Sequence, residues 1–335
     1  MSKEVFITTV TSYFPNSPID NNSMEDYLGL ISGVHSRVKN IVLRQNGIKQ
    51  RFYAVNTKQE MTHTNAELAQ LSIQKLLTEA LLPLQELELL ACATASPDQV
   101  LPSHASMVHG LLKNTPMEIF SASGICLSCV QAFKIAYLSI LAGDKRNAVC
   151  SCSELASAGL LSKNFDVEYE KCANLGIQPY MALEKDFLRF MLSDGASAVL
   201  LQDNPGKGKA LHIEWVEMTS YANELPTCMF MGAEKEKNGE LKSWKSFSSQ
   251  ELTDRSLFTV KQDIKLLEKN AVPYWAKHIK YCLEKYNVAP ESISYVLPHV
   301  SSMFFYDKII NELKGIGIGI DESKWFTNLS RVGNI

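Results

Sequence analysis

Three residues of this chain have the types that nucleophilic chemistry needs: a cysteine, Cys126, a histidine, His299, and an asparagine, Asn334. A thiol supplies the nucleophile, and an imidazole and a carboxamide can hold and protonate a developing oxyanion. Each sits in a context that suits an active-site turn. Cys126 ends Ser121-Ala122-Ser123-Gly124-Ile125-Cys126, just before an apolar helical stretch. His299 follows the strand-like run Ile293-Ser294-Tyr295-Val296-Leu297-Pro298, and Asn334 closes Asn328-Leu329-Ser330-Arg331-Val332-Gly333-Asn334. Taken singly, each has a structural alternative: a cysteine that opens a buried helix, a hydrogen-bonded core histidine, a Gly-Asn turn.

The cysteine context is the most developed. Residues 126–142 read as a helix whose stripe is Leu127, Val130, Phe133, Tyr137 and Ile140-Leu141, with Gly143 as its C-cap. Cys126 would open its first turn, where free N–H groups and the helix dipole favour thiolate. Cys126 and Cys129 also form a C-x-x-C, which raises a redox or zinc reading. No second ligand pair has zinc-finger spacing, so Cys129 is expected in helix packing and no metal site is expected. The eight cysteines do not form a disulfide framework on this reading, and Cys92, Cys150 and Cys282 fall in apolar runs as buried small hydrophobes.

The elements that would position these residues occur twice. Residues 64–82 have helical periodicity, a short linker follows, and Leu89-Leu90-Ala91-Cys92-Ala93 reads as a buried strand. A turn with Pro97 and Pro102, a helix near 103–113, a short strand and the Cys126 segment come next. The order repeats from about 260: a helix to 286 that Pro273 should kink or split, a strand at 293–297, the His299 loop, a helix near 302–314, a strand at 325–327, then Asn334. Short apolar runs alternating with helices imply parallel strands buried on both faces, with ligands at the carboxyl ends of the strands. Residues 148–152 add a strand, and the Ser193-Asp194-Gly195-Ala196 turn enters another. Asn204–Lys209 is the boundary between the halves, and 220–257 reads as a long polar, irregular loop that shapes a pocket. With 335 residues, 46% hydrophobic and 21% charged, the chain can bury a large core, and its net charge of −3 gives no reason to expect nucleic acid or an anionic membrane. Neither a secretion signal nor a membrane-length apolar run is legible, which predicts a cytoplasmic protein.

Together these segments resemble the thiolase-fold condensing enzymes, most closely the β-ketoacyl-acyl-carrier-protein synthase III branch. Leu43-Arg44-Gln45-Asn46-Gly47-Ile48-Lys49-Gln50-Arg51 is similar to that family's Arg-Thr-Gly-Ile-x-x-Arg segment. The Cys126 segment, with Ala132 six residues on, resembles its nucleophile helix. Ser193-Asp194-Gly195-Ala196 is similar to its Gly-Asp-Gly-Ala turn, Val296-Leu297-Pro298-His299 to its Val-Pro-His, and Gly333-Asn334 to its Gly-Asn. The matches fall in family order over nearly the whole chain. The resemblance implies an α/β thiolase-like fold of two pseudo-repeated halves, with mostly parallel central sheets in an α-β-α-β-α layering. Residues 1–205 would carry the nucleophile, and residues 206–335 the histidine and asparagine. It also implies a homodimer acting on acyl-carrier-protein or CoA thioesters without a cofactor. Cys126 would take an acyl group from a thioester. His299 and Asn334 would stabilise the enolate formed as a malonyl-type partner loses carbon dioxide, and the carbanion would attack the acyl-cysteine.

Departures from the pattern sharpen the expectation. Val300-Ser301-Ser302 stands where the family has Gln-Ala-Asn, and Leu127-Ser128 where it has Ala-Gly. The tryptophan that helps hold CoA is missing before Arg44, which favours carrier-protein substrates or an unusual donor. These features point to a secondary-metabolite branch that joins two β-keto thioesters into dialkylresorcinol or cyclohexanedione rings. Arg44, Ser302 and Glu154 are the candidate substrate contacts. Glu154 would be an added base, with a solvated loop carboxylate as its alternative. Family members continue past Gly-Asn, whereas here only Ile335 follows, and the expectation is a fragment of an active enzyme. The alternatives are a non-catalytic ketosynthase partner, an inactive truncated homologue, and a non-decarboxylative condensation.

Overall fold

The structure is a computed structural model that describes residues 3–113, 115–174 and 186–335. The first part of the chain runs β1 (Phe6–Tyr13), β2 (Ile19–Asp20), α1 (Met24–Leu28), α2 (Lys39–Asn46), β3 (Gln50–Arg51), α3 (Asn65–Ala80), β4 (Leu89–Thr94), α4 (His104–Leu112), β5 (Glu118–Ser123), α5 (Ser128–Leu141), β6 (Asn147–Glu154), α6 (Asp166–Asn174) and β7 (Gly195–Gln202). Then come β8 (Leu211–His212), β9 (Met229–Phe230), β10 (Ala233–Lys235), β11 (Leu241–Ser243), α7 (Ser249–Asp254), β12 (Lys261–Gln262), α8 (Ile264–Lys285), α9 (Met303–Gly315) and α10 (Leu329–Val332).

Six strands form one sheet in the order β5-β4-β6-β7-β1-β8. Strands β5, β4 and β6 are parallel, while β7 and β1 pair antiparallel, so the sheet is mixed rather than mostly parallel. Strand β4 is buried at every position, which is why its sequence is a continuous apolar run. Its side chains alternate between faces. Leu90 and Cys92 pack with Val149, Ala198 and Leu200 beneath α3 and α4, whereas Leu89, Ala91 and Ala93 pack with Ala148, Cys150 and Leu201 beneath α5. Helix α3 starts where its residues dictate: the Thr64 hydroxyl accepts the Glu67 N–H at 3.2 Å and the Glu67 carboxylate accepts the Thr64 N–H at 2.7 Å. Strand β8 lies beyond residue 205 yet pairs with β1, so the first-half sheet takes its edge strand from later in the chain.

The second half departs from its predicted strands. Residues 293–297 and 325–327 meet only at one parallel bridge, Val296 with Trp325. The Val296 N–H donates to the Lys324 carbonyl at 2.9 Å and the Phe326 N–H to the Val296 carbonyl at 3.0 Å. A run with a single short partner cannot extend a ladder, and Tyr295 and Leu297 stay exposed. Helices α8 and α9 still form a core here, through Val272, Ala276, Phe305, Ile309 and Leu313. Pro273 does not split α8, which runs unbroken around it. The stretch 220–257 is not irregular either. It folds into the small pairs β10–β11 and β9–β12 with α7 between them, held by ion pairs such as Lys235–Asp263 and Lys261–Glu234.

Candidate active site

Strand β5 ends at Ser123, Gly124 and Ile125 bend the chain, and Cys126-Leu127 form the turn into α5. The helix begins at Ser128, two residues later than its apolar stripe predicts, because the Ser128 N–H is used in a turn to the Ile125 carbonyl at 3.1 Å. Cys126 therefore precedes the first turn rather than opening it. Its side chain reaches solvent, but surrounding protein strips enough water to push the thiol pKa up. A backbone hydrogen bond opposes that shift, and the nearby Glu154 and Cys228 add to it. The expected low thiol pKa is thus overturned: desolvation outweighs the helix terminus.

Glu154 ends β6, and its charge is felt at Cys126. It is not a solvated loop carboxylate: it accepts the Ala95 N–H at 2.7 Å and the Ser96 hydroxyl at 2.6 Å. Burial raises its pKa against those hydrogen bonds, and in the sheet it pairs with Gly195 of β7. Asp194, next to it, is fully buried and accepts the Ala54 N–H at 2.6 Å, the Ser157 N–H at 2.9 Å and the Ser157 hydroxyl. Burial pushes its pKa up to about 6. Asn334 docks onto the same turn through its main chain. The Ser193 N–H donates to the Asn334 carbonyl at 2.8 Å, and the Asn334 N–H donates to the Met191 carbonyl at 3.1 Å. Gly333 makes that docking possible. Its φ is +76°, and a Cβ there would lie 2.7 Å from Ser193 Cβ and 3.2 Å from Arg51 Cβ.

His299 emerges exposed from the Val296 bridge, and desolvation lowers its pKa, which favours the neutral ring. Its neighbour Val300 is buried in the core cluster that also holds Leu43, Met191 and Leu329, with Met229 of β9 against it. The segments bearing His299 and Asn334 and the β9–β12 cap thus meet around one core. Among the described residues no hydrogen bond joins the Cys126, His299 and Asn334 side chains directly. Ser302 is fully buried, and its hydroxyl caps α9 by accepting the Phe304 N–H at 3.3 Å. Arg44 lies exposed in the last turn of α2.

Two features were missed. Cys228, just before β9, gives no signal in sequence because a lone cysteine in a polar stretch has no periodic context. Cys129 and Cys152 are joined in a disulfide, where thiols in packing were expected. The C-x-x-C and Cys150-Ser151-Cys152 were visible, but only the packing of α5 on β6 shows which sulfurs meet. Cys92, Cys150 and Cys282 are buried and free as expected, and the side chain of Cys172 lies outside the described residues.

No family model matches the chain. Among curated proteins it is 23% identical, over 96% of its length and 83% of the relative's, to β-ketoacyl-[acyl-carrier-protein] synthase III of Clostridium perfringens. The same enzyme of Aliarcobacter butzleri is 24% identical over 88% of this chain and 76% of its own. Among solved structures, a tetronic acid condensing enzyme superposes with a TM-score of 0.69 at 22% identity, covering 98% of this chain and 87% of its own. OleA of Xanthomonas campestris, solved with lauric acid and lauroyl-CoA, superposes with a TM-score of 0.65 at 17% identity, covering 100% and 88%. The fold is that of the thiolase-fold condensing enzymes, and the sequence is similar to β-ketoacyl-acyl-carrier-protein synthase III over nearly its whole length.

Proposed function

We propose that this chain is a ketosynthase that forms a carbon–carbon bond by Claisen condensation of thioesters through an acyl-Cys126 intermediate. The observation that carries the reading is the open Cys126 thiol at the β5–α5 turn, in a chain aligned over 96% of its length with a β-ketoacyl synthase III. The Cys126 thiolate attacks the thioester carbonyl, the carrier thiol leaves, and the acyl group stays on sulfur. A malonyl- or β-ketoacyl-thioester then binds. Loss of carbon dioxide from a malonyl group leaves an enolate, and its carbanion attacks the acyl carbonyl with Cys126 as leaving group. His299 is suited to donate a hydrogen bond to the enolate oxygen because desolvation favours its neutral ring, and Asn334 supplies the second donor. Arg44, exposed on α2, is the contact for the carrier-borne arm of the substrate. Ser302 acts by capping α9 and so fixing the loop that presents His299.

The same reading makes the protein a homodimer in the cytoplasm. Strand β5 is an edge of the sheet, and an unpaired edge is a template for a second copy. The exposed Leu127, just before the adjoining helix, and Leu138 within it are apolar cover for such an interface. Five described cysteines are free, as a reducing compartment allows, and among the described residues no helix is long and apolar enough to cross a membrane.

The test is release of labelled carbon dioxide from a malonyl thioester, with and without an acyl donor. Release that yields a condensed product supports the reading. His299→Ala should keep acyl transfer to Cys126 while condensation falls by roughly a hundredfold or more. An acylated enzyme that consumes a β-ketoacyl partner without any carbon dioxide release would move the assignment to non-decarboxylative condensation.

A further inference from the structure

Beside the nucleophile lies sulfur chemistry that condensation does not use. Cys129, the second residue of α5, is bonded to Cys152 near the end of β6, with their Cα atoms 5.6 Å apart. Cys150 lies two residues earlier on the same face of that strand, and its thiol is 3.9 Å from the Cys129 carbonyl oxygen. The three sulfurs all lie within 4.8 Å of one another. Cys129 and Cys152 are half-buried and so within reach of a reductant, while Cys150 is buried.

What the bond holds is informative. Helix α5 has no side-chain cap: Leu127 occupies the N-cap position and offers no acceptor to the first N–H groups. Strand β6, by contrast, is fixed on both sides by β4 and β7. The disulfide is therefore a covalent anchor of an uncapped first turn to a rigid strand, and Cys126 stands three residues before its helix end. In a reducing compartment a protein disulfide usually opens and closes as a sensor.

We propose that the Cys129–Cys152 disulfide is a redox-controlled tether that sets the reactivity of the Cys126 thiol, and that a dithiol is the reductant that opens it. A thiolate of the dithiol attacks one sulfur of the bond and forms a mixed disulfide, and the second thiol resolves it. Cys129 and Cys152 end as two thiols, and the dithiol, having lost two electrons and two protons, ends as its disulfide. Opening lets the first turn of α5 and the Cys126-Leu127 turn before it loosen, so Cys126 gains water and part of the desolvation that chiefly holds its thiol pKa up is relieved. The titratable groups facing Cys126 are Glu154 and Cys228. The inference rests on Cys126 being the nucleophile of the proposed reaction.

The experiment is the rate of Cys126 alkylation by iodoacetamide against pH, read by peptide mass, on protein equilibrated with oxidised or reduced dithiothreitol and then desalted. The reduced protein should react about three- to tenfold faster at pH 7.5, with its profile displaced to lower pH. Cys129→Ser and Cys152→Ser should each give the fast profile under both conditions, and Cys150→Ser should keep the full response. Equal profiles for the two wild-type forms, with their different disulfide content confirmed by mass, would overturn the tether. So would a redox response that survives in Cys129→Ser. The wild-type comparison needs no variant to fold. In parallel arms, opening by dithiothreitol alone assigns a small dithiol, opening also by a thioredoxin-type protein assigns a protein-borne one, and opening by neither overturns the proposal. Alkylation needs no acyl donor, so redox-dependent alkylation without acylation would sink the proposed function and leave the tether standing.

Discussion

At the scale of single residues, the chemistry is set by how much water each group keeps. Cys126 and His299 both sit where they can be reached yet are poorly solvated, and each is pushed toward its neutral form. For the histidine this suits a hydrogen-bond donor. For the cysteine it means that the thiolate, the reactive form, is scarce at neutral pH. The rate of Cys126 acylation or alkylation should therefore climb about tenfold per pH unit through the neutral range, without a plateau below the ordinary thiol pKa. Glu154→Gln removes one like charge facing the sulfur. The alkylation profile should then move to lower pH by less than about one unit, since burial and not Glu154 is the main cause of the shift. A profile that stays in place would show that Glu154 is already protonated when Cys126 titrates. The sequence made Cys126, His299 and Asn334 legible because each ends a recognisable run. It could not show the thiol's desolvation, which comes from the protein packed around it, nor the smaller charge effects of Glu154 at the end of a different strand and of Cys228 before β9.

At the scale of elements, the strands and helices of the first half follow from local pattern. The all-apolar run of β4, the Thr64–Glu67 capping box and the stripe of α5 each point to what formed. The misreadings share one cause, which is partnership across the chain. Residues 293–297 have the composition of a strand, but hydrogen-bond partners decide whether a strand exists, and here only Trp325 supplies them. The 220–257 stretch looked irregular because strands of two or three residues are too short to show a period. Gly333 is the element-scale test of the site. Gly333→Ala places a Cβ against Ser193 and Arg51 at a φ of +76°, which should cost about 1–3 kcal/mol of stability in a denaturant melt. Because Asn334 is displaced while Cys126 is not, condensation should fall much further than acyl transfer. Equal losses in both steps would mean that the Gly333-Asn334 junction serves folding alone.

At the scale of the whole molecule, the mixed six-stranded sheet carries the Cys126 turn at one end of β5, and a core cluster gathers the segments that bear His299 and Asn334. Of the echo expected between the halves, the helices at 264–285 and 303–315 formed, whereas the strands at 293–297 and 325–327 shrank to the Val296–Trp325 bridge. The sheet's mixed direction was not legible, since β1 and β7 have no local mark that sets them antiparallel. The exposed β5 edge leads to the expectation that light scattering finds twice the chain mass in solution, and that a proline in place of Phe120 halves it. A monomer with intact secondary structure would remove the dimer from the account.

The central claim is that Cys126 accepts an acyl group from a thioester, and the most direct measurement is intact mass after incubation with a panel of acyl-CoA and acyl-carrier thioesters, followed by peptide mapping. The account predicts one acyl adduct, on the peptide carrying Cys126, and none in Cys126→Ala. No adduct from any donor, or an adduct that maps to another cysteine and survives in Cys126→Ala, would contradict it.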